Sequence, residues 1–225
     1  MLRINQLSGF GHGPAEPEEP TILSVTTGNA LSLSVDLGPV GRKQVFLAVA
    51  CTDNLGADPW DWGTGSVGGE PFTYAVPSGD ESAGTGGTFT AGATIRAMET
   101  ELGGTKTVTI PIQNFWGVMN STVMLVIVAT GFDAAPISYD GGNNQGGGSA
   151  GSSAVLNTAG AKLVLVAGSA SFGNNLGNFR GGGNPTNGIF SSPLGTGYDD
   201  APSGGAADVY DFQPYGYVIS GAAFG

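Results

Sequence analysis

Residues 121–130 read Ser-Thr-Val-Met-Leu-Val-Ile-Val-Ala-Thr, the most apolar run in the chain. A short continuous run of this kind predicts a central strand, covered on both faces. Residues 43–51 (KQVFLAVAC) and 161–170 (AKLVLVAGSA) read the same way. Around them lie strands of period two. In residues 30–37 (ALSLSVDL), Leu31, Leu33 and Val35 alternate with Ser32, Ser34 and Asp36, the pattern of a half-buried strand. In residues 105–112, Val108 and Ile110 alternate with threonines. Residues 21–27 predict a further strand, joined to 30–37 by a Gly28-Asn29 turn. Residues 70–76 read as a strand with Pro71 near its start, where proline is tolerated. Residues 208–212 and 215–224 close the chain, tying the C-terminus into a sheet. Residues 89–99 (FTAGATIRAME) fit a strand or a short helix. Residues 52–69, 77–87 and 134–153 read as loops, and 171–206 as loop with at most short structured pieces.

About eight to ten strands with no convincing amphipathic helix predict an all-β protein. At this length the expectation is a jelly-roll-like two-sheet β sandwich. No internal repeat of fixed period is visible in the sequence. Two segments follow: an N-terminal arm and spacer over residues 1–20, and a Gly-rich β-sandwich domain over residues 21–225.

The chain has 225 residues, 40% hydrophobic and 11% charged, with 41 glycines. Glycine interleaved with Val, Ile, Leu, Phe and Thr indicates turns, bulges and surface loops rather than disorder. The net charge of −11 opposes binding to nucleic acid. The single cysteine, Cys51, excludes an intramolecular disulfide, and its apolar setting reads as a small buried hydrophobe. No segment reaches the roughly 18 apolar residues of a membrane span, so no membrane partner is expected. No secretory signal is expected at the N-terminus, because Asn5, Gln6 and Ser8 interrupt any apolar core after Arg3.

Residues 1–13 space Leu2, Ile4, Leu7 and Phe10 among three glycines. They are too short and glycine-rich for an isolated helix. The spaced apolar side chains favour docking on a partner over a solvated tail. Residues 14–20 (PAEPEEP) favour polyproline II geometry, at about 3.1 Å per residue. They would hold the arm roughly 20 Å from the body.

The order of signals in the body resembles a known group. A Ser/Leu strand leads into residues 43–50, followed by LGGTKTVTI (102–110) and STVMLVIVATG (121–131). AGAKLVLVA (159–167) and YVISGAAF (217–224) complete the series. This is similar to phage-encoded β-sandwich proteins found as decoration, fibre or other virion components. Residues 4–11 (INQLSGFG) also resemble a short INQLxGFG leader placed before varied β domains in some phage proteins. The resemblance implies a structural virion protein, not an enzyme. It implies localisation to the virion and docking through Ile4, Leu7 and Phe10 on the major capsid protein or on tail or neck proteins. A capsid decoration or head-fibre component is the first expectation. A tail- or neck-associated receptor- or carbohydrate-binding module is the alternative. A homo-oligomer is expected, with a host surface glycan as a further partner. The group has no fixed active site, and loops 134–153 and 171–206 exceed its pattern.

The remaining chemistry is sparse, and no cofactor is expected. Residues 63–68 (GTGSVG) match G-x-G-x-x-G without the strand-before, helix-after context of a dinucleotide site. A Ser-His-Asp site is disfavoured, because the only histidine, His12, lies in the arm. Asp53, Asp58 and Asp61 share one loop and form a weak Ca²⁺ candidate, although their spacing is not that of an EF-hand. The reading that outweighs it is solvated loop carboxylates. Trp60 and Trp62 can stack on a sugar, cap the core or pack at an interface. Packing is the favoured reading.

Overall fold

The computed structural model describes residues 18–53, 61–76, 82–85, 90–113, 119–143, 152–170, 178–180, 187–191, 194–213 and 216–225. Every regular element among them is a strand, and every ladder is antiparallel. The first half of the chain holds β1 (Thr21–Gly28), β2 (Ser32–Asp36), β3 (Lys43–Asp53), β4 (Asp61–Trp62), β5 (Ser66–Val67), β6 (Glu70–Pro71), β7 (Tyr74–Ala75), β8 (Ser82–Thr85), β9 (Thr90–Thr100), β10 (Thr105–Thr109), β11 (Ile112–Gln113) and β12 (Met119–Thr130). The second holds β13 (Pro136–Asn143), β14 (Ser152–Leu156), β15 (Leu163–Ala170), β16 (Asn178–Arg180), β17 (Asn187–Ser191), β18 (Leu194–Asp199), β19 (Asp208–Gln213) and β20 (Gly216–Phe224).

In the first half an inner sheet runs β1-β12-β3-β9, with β7 and β8 both on the far side of β9. An outer sheet runs β2-β10-β5-β6, and β4 pairs with β11. In the second half the inner sheet runs β13-β20-β15-β18-β17 and the outer sheet β14-β19-β16. The continuous apolar runs are the inner strands, because both of their faces are covered. Phe46, Ala48 and Ala50 of β3 join Val123, Leu125 and Ile127 of β12 in a core shared with the second half. Val45, Leu47, Val49 and Cys51 point the other way, onto the first outer sheet. The second inner sheet does the same: Leu163 and Leu165 enter the shared core, and Val164 and Val166 enter a third core under the outer sheet. The protein is therefore a stack of four β layers with three cores, where two sheets were expected.

The two halves have the same wiring. Strands β1, β2, β3, β8, β9, β10 and β12 occupy the places of β13, β14, β15, β17, β18, β19 and β20. Local details agree. Each first strand carries an irregularity where it leaves the ladder, at Leu23 and at Ile137. Asp36 Oδ1 accepts from Gly38 N–H at 2.9 Å, and Asn157 Oδ1 accepts from Ala159 N–H at 3.0 Å. Leu37 N–H donates to Gly104 C=O and Thr158 N–H to Gly205 C=O, tying the same pair of connections in each half. The inner sheets face one another in a pseudo-two-fold manner: β9 lies over β15 and β20, and β18 over β3 and β12. The duplication is one of wiring, and it has no fixed period in the sequence, as expected. Start-to-start spacing is 120 residues from Ser32 of β2 to Ser152 of β14 but 97 from Met119 of β12 to Gly216 of β20. Unequal connections hide the period.

Other expectations change for identifiable reasons. Gly28-Asn29 does not close a hairpin, because β1 and β2 belong to different layers. A Cβ on Gly28 would run into the Leu33 side chain where those layers approach. Residues 70–76 are two short pieces in different sheets, with Phe72 turned inward between them. Residues 89–99 form strand β9 rather than a helix. Residues 134–153 hold β13, an edge strand with little apolar content. Its Ser138 Oγ and Asp140 Oδ2 accept from the Asn157 and Val155 N–H groups of the neighbouring layer. Residues 171–206 hold β16, β17 and the buried β18, whose sequence LGTGYD lacks an apolar run.

Tyr210 is fully enclosed in the third core. Burial, and then the carboxylates of Asp199 and Asp208, push its phenol far above the usual tyrosine range. The folded state therefore holds the proton after the unfolded chain loses it. The stability this gives is complete below about pH 10 and falls as pH rises beyond. Tyr210→Phe should shrink the drop in melting midpoint between pH 9 and pH 11.5. An unchanged drop would remove Tyr210 from the account.

Candidate binding site

Among the described residues, a cavity brings two aromatic rings together with a buried cation and two hydroxyls. It has a volume of about 300 Å³ and lies beside β4 and β9, lined by Trp62, Thr64, Phe72, Thr73 and Arg96 among others. The two-residue ladder between β4 and β11 sets the first wall. Asp61 pairs with Gln113 and Trp62 with Ile112, so adjacent side chains take opposite faces. Asp61 is exposed and Trp62 is buried in the second core. Gly63 N–H donates to Pro111 C=O at 2.8 Å, and Phe72 N–H donates to Gly65 C=O at 3.3 Å. Gly65 has a φ of 71°, a left-handed conformation that other residues rarely adopt. These bonds hold Trp62, Thr64 and Phe72 in one frame. The stretch GTGSVG leads from β4 through β5 towards β6, with no helix after it.

Arg96 supplies the charge. On β9, Ile95 and Ala97 enter the core between the halves, so Thr94, Arg96 and Met98 face the outer sheet. Arg96 is 2% exposed. Its Nη1 donates to Thr94 Oγ1 and, at 3.1 Å, to the Ile95 carbonyl. Thr64 and Thr73 are exposed at the same cavity.

The residues singled out from sequence fare unevenly. Trp62 lines this cavity while packing in the core, and Trp60 lies outside the described residues. Of the three aspartates, Asp58 lies outside them, Asp53 ends β3 and Asp61 stands at the surface. Among the described residues no group of three His, Cys, Asp or Glu side chains could hold a metal. Ile4, Leu7 and Phe10 also lie outside the described residues. Cys51 is buried, facing the outer sheet. Sequence reading missed Arg96, Phe72, Thr64 and Thr73. A signal for Arg96 was present: it is the one basic residue in strand β9, flanked by Ile95 and Ala97.

A second concave region lies where the chain's segments meet. Glu18 and Glu19 back onto Gly131, Asp133 N–H donates to Gly225 C=O at 2.8 Å, and Phe132 sits between. Cavities of about 210 and 480 Å³ flank Phe132, one beside Arg42 and Gln44, the other beside Ile22, Lys162 and Asp200. Residues Glu18 and Glu19 thus meet the body at the seam between its halves.

These features define an all-β protein of stacked antiparallel sheets with a small aromatic and cationic cavity. Comparison carries the description no further: no protein-family model, no curated protein and no solved structure matches the chain.

Proposed function

We propose that the protein is a non-enzymatic structural component of a phage virion, a capsid decoration or head-fibre protein docked through its N-terminal arm. Each half of the body is taken as a jelly roll. The first half supports this directly. With its strands β1, β2, β3, β5, β6, β9, β10 and β12 counted one to eight, the sheets run 1-8-3-6 and 2-7-4-5, the order of a jelly roll. Jelly rolls recur in viral capsid and lectin domains, an analogy of fold and not of site. The observation that carries the proposal is the arm itself. The leader INQLSGFG and its acidic proline spacer feed into an exposed seam at Glu18–Glu19, so the body stands clear of whatever the arm grips. Short arms of this kind bind by adding to a sheet edge and seating apolar side chains, here Ile4, Leu7 and Phe10. Oligomerisation would multiply a weak single contact.

The test is co-sedimentation with particles that lack the protein. The full-length chain should travel with them, and a chain lacking residues 1–20 should stay in the supernatant. Equal binding by both would move attachment to the β body. Binding by neither would overturn the virion assignment. A second reading, a tail- or neck-associated carbohydrate-binding module, is favoured by the cavity that Trp62 shares with Arg96.

A further inference from the structure

The duplication supplies an internal control at the seam between the halves. The matching irregularities at Leu23 and Ile137 align Ile22 with Pro136, whose ladder partners are Ala129 and Phe224. Those residues in turn pair with Gln44 and Leu163. Leu163 is wholly buried in the core between the halves. Gln44 stands two residues before Phe46 on β3, so it faces the same core, at its mouth beside Phe132. It is 3% exposed, and its Oε1 makes no hydrogen bond. An enclosed amide oxygen without a donor is destabilising. The wiring accepts leucine at this place, so the fold itself does not call for the amide.

Gln44 lines the cavity of about 210 Å³ together with Glu18, Arg42 and Phe132. Arg42 is already engaged, its Nη2 meeting Glu99 Oε2 at 2.7 Å. Glu99 above all, and then Asp133 and Glu18, bear on its charge. Three carboxylates around one guanidinium leave a surplus of negative charge, which favours a cationic guest. Turning the terminal amide over exchanges its two ends, so Gln44 can aim its carbonyl oxygen at such a guest. Phe132 offers ring surface for an alkyl stem. The volume lies below the roughly 300–1,000 Å³ of small-molecule sites, so it admits the end of one side chain rather than a free ligand. A guanidinium needs a paired acceptor face, whereas an ammonium turns its donors to acceptors set apart. We infer that this cavity receives the ammonium of a lysine side chain on the protein that the arm grips. The ammonium meets Gln44 Oε1 and the Glu18 carboxylate, and its stem lies against Phe132. The partner's identity rests on the docking reading, because Glu18 is where the arm leaves the body; the chemistry of the cavity does not.

The experiment uses the full-length protein, labelled with ¹⁵N. Nα-acetyl-lysine amide is titrated while the Gln44 side-chain amide signals, assigned through Gln44→Leu, are followed. Saturable shifts are expected, with an affinity at least about tenfold tighter than for the Nε-acetylated form, which keeps the stem and lacks the charge. Gln44→Leu installs the residue of the second half and should melt no lower than the wild type. Followed at the Phe132 amide, it should weaken binding at least about threefold. Glu18→Gln, at an exposed position, should weaken binding about threefold and keeps the test open if Gln44→Leu does not fold. Full-length Gln44→Leu should also co-sediment at least about threefold more weakly with particles. No response to the lysine amide, or an equal response to its Nε-acetylated form, overturns the inference. Binding of the lysine amide with unchanged co-sedimentation of Gln44→Leu would assign the cavity to free amines and overturn the partner. If the wild type itself does not co-sediment, the docking reading falls, and the titration still decides whether the cavity takes an ammonium.

Discussion

Phe46→Ala is expected to lower the unfolding free energy by about 3–5 kcal/mol. Phe46 belongs to β3 in the first half and is wholly buried. Its ring meets Phe224 of β20 in the second half, with centroids 4.6 Å apart at 57°. It also meets Phe132, in the link between the halves, at 5.9 Å and 79°. An edge-on pair contributes about 0.5–1.5 kcal/mol beyond area burial. Truncation therefore removes transfer energy and two ring contacts together. It also leaves a hole that β3 and β20 cannot close, because each is paired on both sides. Denaturant titration would read the loss as a lower midpoint. Phe46→Leu leaves a smaller hole and should cost less than half as much. A loss below about 1 kcal/mol for the alanine variant would show that the halves do not share this core.

Gly131→Ala is expected to cost about 2–4 kcal/mol, through two separable causes. Gly131 has a φ of 76°, a conformation that costs other residues about 1–2 kcal/mol. An added Cβ would also lie 2.5 Å from the Glu18 carbonyl oxygen and 2.7 Å from the Glu19 backbone. Those atoms are main chain and cannot swing aside as a side-chain tip would, so overpacking adds about 1–3 kcal/mol. A double-mutant cycle separates the causes. In a chain lacking residues 1–20 the clash is gone and only the backbone strain remains. The substitution should then cost at least 1 kcal/mol less than in the full-length protein. Equal costs in both backgrounds would mean that the root of the arm does not rest on Gly131. The seam would then offer no fixed departure point for the arm.

Much of the fold was legible because period reports burial. Residues 121–130, 43–51 and 161–170 lacked alternation since both faces of β12, β3 and β15 are covered. Residues 30–37 alternated since β2 lies in an outer layer. Where these signals were misread, the cause was local. Beta13 and β18 are strands whose glycines and polar residues resemble loop, because an edge position or a close-packed layer removes the need for large apolar groups. The cavity was half legible. Trp62 drew attention by its type, whereas Arg96 drew none, although a cation inside a buried strand is unusual.

The sequence by itself determined the all-β class and the inner strands, since each depends on residues adjacent in the chain. Only the tertiary structure decided that the strands form four layers in two equivalent halves. Pairing joins residues as far apart as Thr21 and Thr130, and no local pattern records which strands will meet. The same holds for the site. Trp62, Phe72 and Arg96 become neighbours only because β4, the segment between β6 and β7, and β9 converge there.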